Sequence, residues 1–226
     1  MRAIILAGGK GVRLLPYTLT IPKPLVPIQN KAVLELIIIK LAREGFRHIT
    51  IAVNYKSDLI QAFIKQIKIK KIKIDFVFEK KVLGTMGPTK LIKNLPDNFL
   101  VINGDIVTKL NMKNFMNYHV KKKSLLTIAT TIRNLKDDYG IMTAKNGKLL
   151  DFKEKPTRRI NVSMGAYGLN KKTLKLIPYN KFFGFDDLVF KMLKQKININ
   201  TFECKKFWLD IGRHEDLRKA QKITFK

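Results

Sequence analysis

The chain has 226 residues, and 46% are hydrophobic, enough to build the core of one large domain and to argue against wholesale disorder. Lys and Arg number 45 against 17 Asp and Glu, a formal net charge of +28 that attracts polyanions and phosphorylated small molecules alike. No apolar run reaches the roughly 18 residues needed to span a bilayer, the short apolar start meets glycines without a cleavage-type ending, and the single Cys204 forms no intramolecular disulfide, so a reducing, cytoplasmic address is expected.

In chain order, RAIIL (2–6) reads as a strand that stops in the glycines of IILAGGKGVRL. IPKPLVPI (21–28) follows, where Pro22, Pro24 and Pro27 are expected to fix an extended backbone and suppress a helix. VLELIIIKLAREGF (33–46) reads as a helix ending at a glycine, HITIAV (48–53) as a strand, and SDLIQAFIKQI (57–67) as a helix with Asp58 in its first turn. In IKIKKIKID (67–75), Ile and Lys alternate as in a half-buried strand, with Ile72 and Ile74 facing one way and Lys71 and Lys73 the other. The strand itself is drawn over 72–78. No aromatic side chains interleave with these lysines, so a nucleobase-stacking surface is not indicated. FLVIN (99–103) and SLLTIATTIR (124–133) are further strands.

The second half changes character. IMTAKNGKLLDF (141–152) is two short runs about Asn-Gly, a hairpin signal. NVSMGAYGL (161–169) reads as a strand, and FDDLVFKMLKQK (185–196) and RHEDLRKAQK (213–222) as helices. Strand–helix alternation followed by a β-rich part predicts an α/β fold, a Rossmann-like, mostly parallel sheet flanked by helices. One compact unit is expected, a nucleotide-binding α/β part (1–120) followed by a mixed α+β part (121–226).

A strand running into a glycine turn suits a phosphate cradle, because glycine lets backbone N–H groups approach an anion and tolerates positive φ. The register fails the P-loop pattern. It also fails the dinucleotide pattern: Gly9 and Gly11 fit, but Leu14 stands where the third glycine belongs, and HITIAV ends in Asn54 and Tyr55 rather than in a ribose-binding acid. The first acidic residue is Glu35, whereas Lys10, Arg13 and Lys23 flank the loop; such cations suit a polyphosphate.

LAGGKGVRL followed by PKPLVPI resembles the sugar-1-phosphate nucleotidylyltransferases, or NDP-sugar pyrophosphorylases. LGTMGP (83–88), INGD (102–105), DYG (138–140), FKEKP (152–156), VSMGAYGL (162–169), FGFDDLV (183–189) and WLDIG (208–212) extend the resemblance along nearly the whole chain, in the family's order. The resemblance implies transfer of a nucleotidyl group from an NTP to a sugar 1-phosphate, releasing pyrophosphate, with Mg²⁺ as cofactor. A phosphate monoester has its second pKa near 6, so the attacking oxygen needs no general base; His48, His119 and His214 lie outside every motif.

By the same resemblance, Leu6, Ala7, Gly8, Gly9 and Gly11 cradle the nucleotide, and Gly84 and Thr85 meet its base and ribose. Arg13 grips the leaving pyrophosphate, a task for a planar, permanently charged fork, and Lys23 neutralises charge at the α-phosphate. Asp105, at the carboxyl end of FLVIN, and Asp210 are the metal carboxylates. Glu154 accepts from sugar hydroxyls, Lys155 holds the sugar's phosphate, and Gly140 and Gly165 line the sugar pocket. Asp186 and Asp187 fit either a sugar contact or a helix first turn.

Val12 replaces a small hydroxyl residue frequent in the family, and Met86 a small one, which is expected to alter the rim of the base pocket. The chain stops soon after WLDIG, so the C-terminal left-handed β-helix of some relatives, and its acetyl transfer, are not expected. Three other readings remain: a cytidylyltransferase acting on a non-sugar phosphate, a silent nucleotide-binding module, and a polyanion-binding protein. Base, sugar and oligomeric state stay open; a nucleic-acid partner and a membrane span are not expected.

Overall fold

The computed structural model describes residues 1–222 apart from Lys68 and Lys70. The elements are β1 (Arg2–Leu6), α1 (Tyr17–Thr20), β2 (Pro27–Ile28), β3 (Lys31–Ala32), α2 (Val33–Arg43), β4 (His48–Val53), α3 (Ser57–Gln66), β5 (Lys73–Phe78), β6 (Asn98–Asn103), β7 (Ile106–Thr108), α4 (Met112–Lys121), β8 (Leu126–Lys136), β9 (Ile141–Lys145), β10 (Lys148–Lys153), β11 (Thr157–Asn170), α5 (Phe185–Lys194), β12 (Ile199–Glu203), β13 (Trp208–Asp210) and α6 (His214–Gln221).

Seven strands form one sheet in the order β12-β8-β11-β6-β1-β4-β5. All pairings are parallel except those of β11, which runs antiparallel to both β6 and β8. This is the mixed, mostly parallel α/β sheet that the strand–helix alternation implies. Strands from both halves of the chain share it. β1 lies inside the sheet and is apolar after Arg2, with Ala3, Ile4 and Ile5 fully buried, as a strand covered on both faces must be. The helices between β1 and β5 close right onto it: α2 buries Val33, Leu34, Ile37, Ile38 and Leu41, and α3 buries Ile60 and Ile64, both at helical spacing.

The chain leaves β1 for β4 on one side and returns through β6 on the other. The carboxyl ends of β1 and β6 therefore flank a topological switch, where open sheets bind ligands. At the opposite sheet edge Arg2, His48, Thr50 and Asp75 form a structural cluster; Arg2 Nη2 donates to Thr50 Oγ1 at 2.9 Å, and His48 Nε2 lies 2.6 Å from Asp75 Oδ2.

Four expectations are corrected. The proline segment is not extended throughout: Pro22 is, but Lys23–Leu25 make one 3₁₀ turn before β2. The Ile/Lys alternation becomes a strand only from Lys73, because Lys71 takes positive φ (64°); Lys68 and Lys70 of that stretch lie outside the described residues. Met86 does not line a pocket rim but is fully buried against Phe99, Val101 and Leu188. α4, absent from the sequence reading, is built from residues with middling helix propensity, yet it buries Met112, Phe115, Met116 and His119 at i, i+3, i+4 and i+7, capped by Asn111 accepting from the Asn114 amide.

His119 accounts for a glycine in VSMGAYGL. Its ring lies on Gly168 of β11, where a Cβ would come within 2.8 Å of His119 Cγ. Nδ1 is 2.8 Å from Thr127 Oγ1 and Nε2 is 3.2 Å from Asn98 Oδ1. Burial lowers the imidazole pKa from 6.5 to about 4. The native state thus holds the ring neutral, a contribution to stability that is complete above the unfolded value and fades as pH falls toward the native one. The full effect is roughly 3 kcal/mol. Denaturant unfolding at pH 7.5 and pH 4.5 should show a smaller acid loss for His119→Gln than for the wild-type chain; equal losses would remove His119 as a source of acid lability.

Candidate active site

The first glycine loop follows β1 without a helix. Ala7 N–H donates to Ala52 O at 2.8 Å, which prolongs the β1–β4 pairing by one residue before the chain turns. Gly8 then passes over Glu79: a Cβ there would lie 2.6 Å from Glu79 Oε1. Gly9 faces open space, with nothing within 4 Å of the Cβ position, so its backbone is accessible to a ligand. Gly11 takes φ +66°, and a Cβ on it would meet Lys23 Cβ at 3.0 Å. It seats the loop on the Lys23 stem, and Thr18 Oγ1 donates to its carbonyl at 3.0 Å.

Asp105 and Asp210 are more than 100 residues apart and meet through a pairing not read from the sequence. β13 lies antiparallel to β7 with Trp208 opposite Thr108 and Asp210 opposite Ile106. Ile211 N–H then donates to Asp105 O at 2.9 Å. Trp208 pins this strand from its other side, its indole N–H donating to Met164 O at 2.8 Å. Lys23 Nζ enters from the 3₁₀ turn, hydrogen-bonds Asp105 Oδ2 and lies 3.6 Å from Asp210 Oδ1. Arg13 leans on Gly212, where a Cβ would come within 3.3 Å of its guanidinium carbon and 3.2 Å of Asp210 Oδ1. Burial, then the Asp105 charge, push the Asp210 carboxyl above the usual range, while Lys23 and Arg13 pull it back.

Two carboxylates and two cations therefore share one corner of the molecule. Asp105 Oδ1 and Asp210 Oδ1 are both buried and accept no hydrogen bond. Oxygens of this kind suit a small hard cation, which takes one or two protein carboxylates and completes its shell from substrate phosphates and water. The donor set fits Mg²⁺. Among the described residues no group of three or more His, Cys, Asp or Glu forms a fuller metal cage.

A cleft of about 270 Å³ opens beside this corner. Leu6, Ala7, Gly8, Gly9, Gly84 and Thr85 line it, with Lys23 and Asp105 at one end. Gly11 lies behind the loop instead. Gly84 takes φ +76° and lies against the Phe183 carbonyl, 2.8 Å from its Cβ position, so this glycine is also required by packing. The sequence reading gave no site role to Gly104, Asn103 and Glu79, which also form the cleft wall. Gly104 sits so close to Leu6 O (2.7 Å from its Cβ position) that any side chain would part β6 from β1. Asn103 packs on Gly165, and Glu79 stands half-buried among the glycines. Glu79 directly follows the last residue of β5, and Asp105 lies two residues past β6, so both stand at carboxyl ends of parallel strands. A larger, mainly apolar cavity of about 580 Å³ between α2 and β7 holds none of the residues singled out from the sequence.

The sugar-side residues are gathered separately. Gly140 lies under Phe152 and Glu154, with 2.7 Å and 3.0 Å to its Cβ position, and Lys155 Nζ is 4.0 Å from Glu154 Oε1. All belong to the exposed β9–β10 hairpin and its flanks. Gly165, at φ +73°, is the member that reaches the cleft, through Asn103. Asp187 caps α5, accepting from Gly184 N–H at 2.7 Å, which accounts for that aspartate as a helix-start residue.

The chain is similar to known proteins along its length. The chain is 32% identical over 226 residues to a mannose-1-phosphate guanyltransferase of Aspergillus fumigatus, aligning 96% of this chain with 62% of that protein. It thus spans about three-fifths of the length of the curated relatives it matches. Among solved structures, HddC from Yersinia pseudotuberculosis superposes with a TM-score of 0.76 at 32% identity, covering 98% of each chain. The same protein complexed with GMP-PN gives a TM-score of 0.74 at 31% identity, again covering 98% of each chain. No helix among the described residues is long and apolar enough to cross a membrane. A family model described as Nucleotidyl transferase matches residues 2–226, and the chain belongs to that family.

Proposed function

We propose that the chain transfers a nucleotidyl group from an NTP to a sugar 1-phosphate, releasing pyrophosphate, with GTP as the donor. The observation that carries this reading is the Asp105–Lys23–Asp210 cluster at the end of a glycine-walled cleft. The named guanyltransferase relatives and the GMP-PN complex of a 31% identical protein support guanine.

The chemistry is a single displacement. An oxygen of the sugar phosphate forms a bond to the α-phosphorus, the bond from that phosphorus to the α–β bridging oxygen breaks, and its electron pair leaves with pyrophosphate. The nucleophile is already anionic, so the obstacle is repulsion between two phosphates and not proton removal. The open Gly9 backbone brings the nucleotide close to the loop. Lys23 sits where it reaches the α-phosphate, and the Asp105 and Asp210 carboxylates orient its ammonium. Arg13, held by Gly212, faces the departing end. Glu154 and Lys155, on the hairpin, take the sugar hydroxyls and the sugar phosphate. A Mg²⁺ held by Asp105 and Asp210 would supply further neutralisation and a template for the phosphates.

Pyrophosphate release from GTP with hexose and heptose 1-phosphates in Mg²⁺ buffer is expected for at least one sugar and should stop on chelation. Asp105→Ala should lower kcat by ~100-fold or more with the fold intact, the scale for losing a group that stabilises developing charge. Wild-type rates in that variant would overturn the metal assignment. Gly212→Ala should crowd Arg13 and lower kcat/KM by about tenfold while leaving nucleotide affinity within a few-fold, the pattern of a contact made mainly in the transition state. A change in affinity alone would place Arg13 in ground-state binding.

A further inference from the structure

The sugar-side residues stand on a part of the molecule that cannot hold itself in place. β9 and β10 form a separate two-stranded ribbon, and every residue of both strands is exposed, so neither face is covered. A two-stranded ribbon without a packed face is marginally stable in water. Its position is therefore set where its two legs leave the main sheet. One leg, residues 137–140, follows β8; the other, residues 154–156, leads into β11. Gly140 is on the first leg, Glu154 and Lys155 on the second.

Three contacts join the legs. Thr157 of β11 pairs with Lys136, the last residue of β8. Just beyond, Asp137 N–H donates to Pro156 O at 3.0 Å. Arg158 then closes the base of the ribbon with two parallel bonds: Nε donates to Asp137 Oδ2 at 3.0 Å and Nη2 to Asp137 Oδ1 at 2.7 Å. A planar fork on a carboxylate fixes direction as well as distance, which a lysine ammonium does not. The Arg158 side chain is 64% exposed, and exposed ion pairs add little to stability. The geometry of this pair serves orientation instead. Lys155 shows what there is to orient. Its φ is +43°, a left-handed backbone that a lysine keeps only where its surroundings impose it. The bond from Asp137 to the very next carbonyl, Pro156 O, holds the chain there.

We propose that Asp137 and Arg158 are positioning residues for the sugar 1-phosphate. The pair fixes the legs of the ribbon, and with them Gly140, Glu154 and Lys155, without touching substrate. This rests on the reading of those three residues as the sugar side of the site.

Steady-state rates, with GTP and with the hexose or heptose 1-phosphate turned over fastest, each varied in turn, test the proposal. Asp137→Asn keeps the side chain's shape and leaves the Arg158 cation in place; Arg158→Lys keeps the charge and loses the parallel bonds. Each should lower kcat/KM for the sugar 1-phosphate by ~10-fold or more, the scale for misplacing a bound reactant. The KM for GTP and the melting temperature should stay at their wild-type values. The double variant Asp137→Arg with Arg158→Asp restores the pair in reverse and should recover most of the loss. An unchanged sugar dependence in Asp137→Asn would overturn the proposal, because an Arg158 that grips substrate itself keeps its charge there. Equal losses for GTP and the sugar, or a reversed pair that recovers nothing, would overturn it too. If no sugar 1-phosphate turns over in the wild-type chain, the transferase reading fails, and hydrogen exchange of the 137–158 amides decides on the pair. Faster exchange in Asp137→Asn, returned to the wild-type rate by the reversed pair, supports it as the clamp of the ribbon, and equal rates overturn it.

Discussion

Asp105 and Asp210 repel one another, and the fold holds them together by main-chain hydrogen bonds. The β7–β13 pair and the Ile211 N–H to Asp105 carbonyl bond leave the two carboxylates on neighbouring strands with no freedom to separate. Like charges held this close in a partly buried place are costly unless cations answer them. Lys23 does so from one side and Arg13 from the other. The rest of the site follows from supplying those two cations. The 3₁₀ turn at Lys23–Leu25 aims the lysine, Gly11 lets the first loop pass over its stem, and Gly212 gives the guanidinium its seat. Trp208 ties β13 to β11 through Met164, which joins the Asp105–Asp210 corner to the strand bearing Gly165.

The glycines divide by task. Gly104 and Gly84 are required by the protein itself, since each lies under 3 Å from a backbone oxygen at its Cβ position. Gly9 meets no protein atom, and a ligand is what its bare backbone can serve. Gly8 stands between these cases, because the space it leaves is taken by Glu79. A cleft built this way exposes main-chain N–H groups on one wall and places a carboxylate under the other. The net charge of +28 draws anions to the whole surface.

Much of this was legible in the sequence, and the parts that were not share a cause. β1, β4 and β6 announce themselves as apolar runs because they are buried on both faces, β5 at the sheet edge by its alternation, and α2 and α3 by their 3.6-residue spacing. The glycine loop, Lys23, Asp105 and Asp210 could be picked out by motif. What brings Asp105 to Asp210 could not, since β7 and β13 are three residues each and their pairing is set by a tertiary fit, not by local preference. Met86 was misplaced for the same reason: its neighbours in the core come from β6 and α5. α4 carried a readable apolar stripe, masked by asparagine, histidine and tyrosine of modest helix propensity. Glu79 was hidden by its lysine neighbours, yet its place at the end of β5 obeys the rule that singled out Asp105.

The claim on which the site depends is that Asp105 and Asp210 act on one ion. A double-mutant cycle with Asp105→Asn and Asp210→Asn addresses it, with Mn²⁺ binding in the presence of a non-hydrolysable GTP analogue followed by electron paramagnetic resonance. Two ligands of one ion are coupled, so the loss in the double variant should differ from the sum of the single losses by more than ~0.5 kcal/mol, the scatter of independent sites. Losses that add within that scatter, or a single variant that binds Mn²⁺ as tightly as the wild-type chain, would contradict a shared ion.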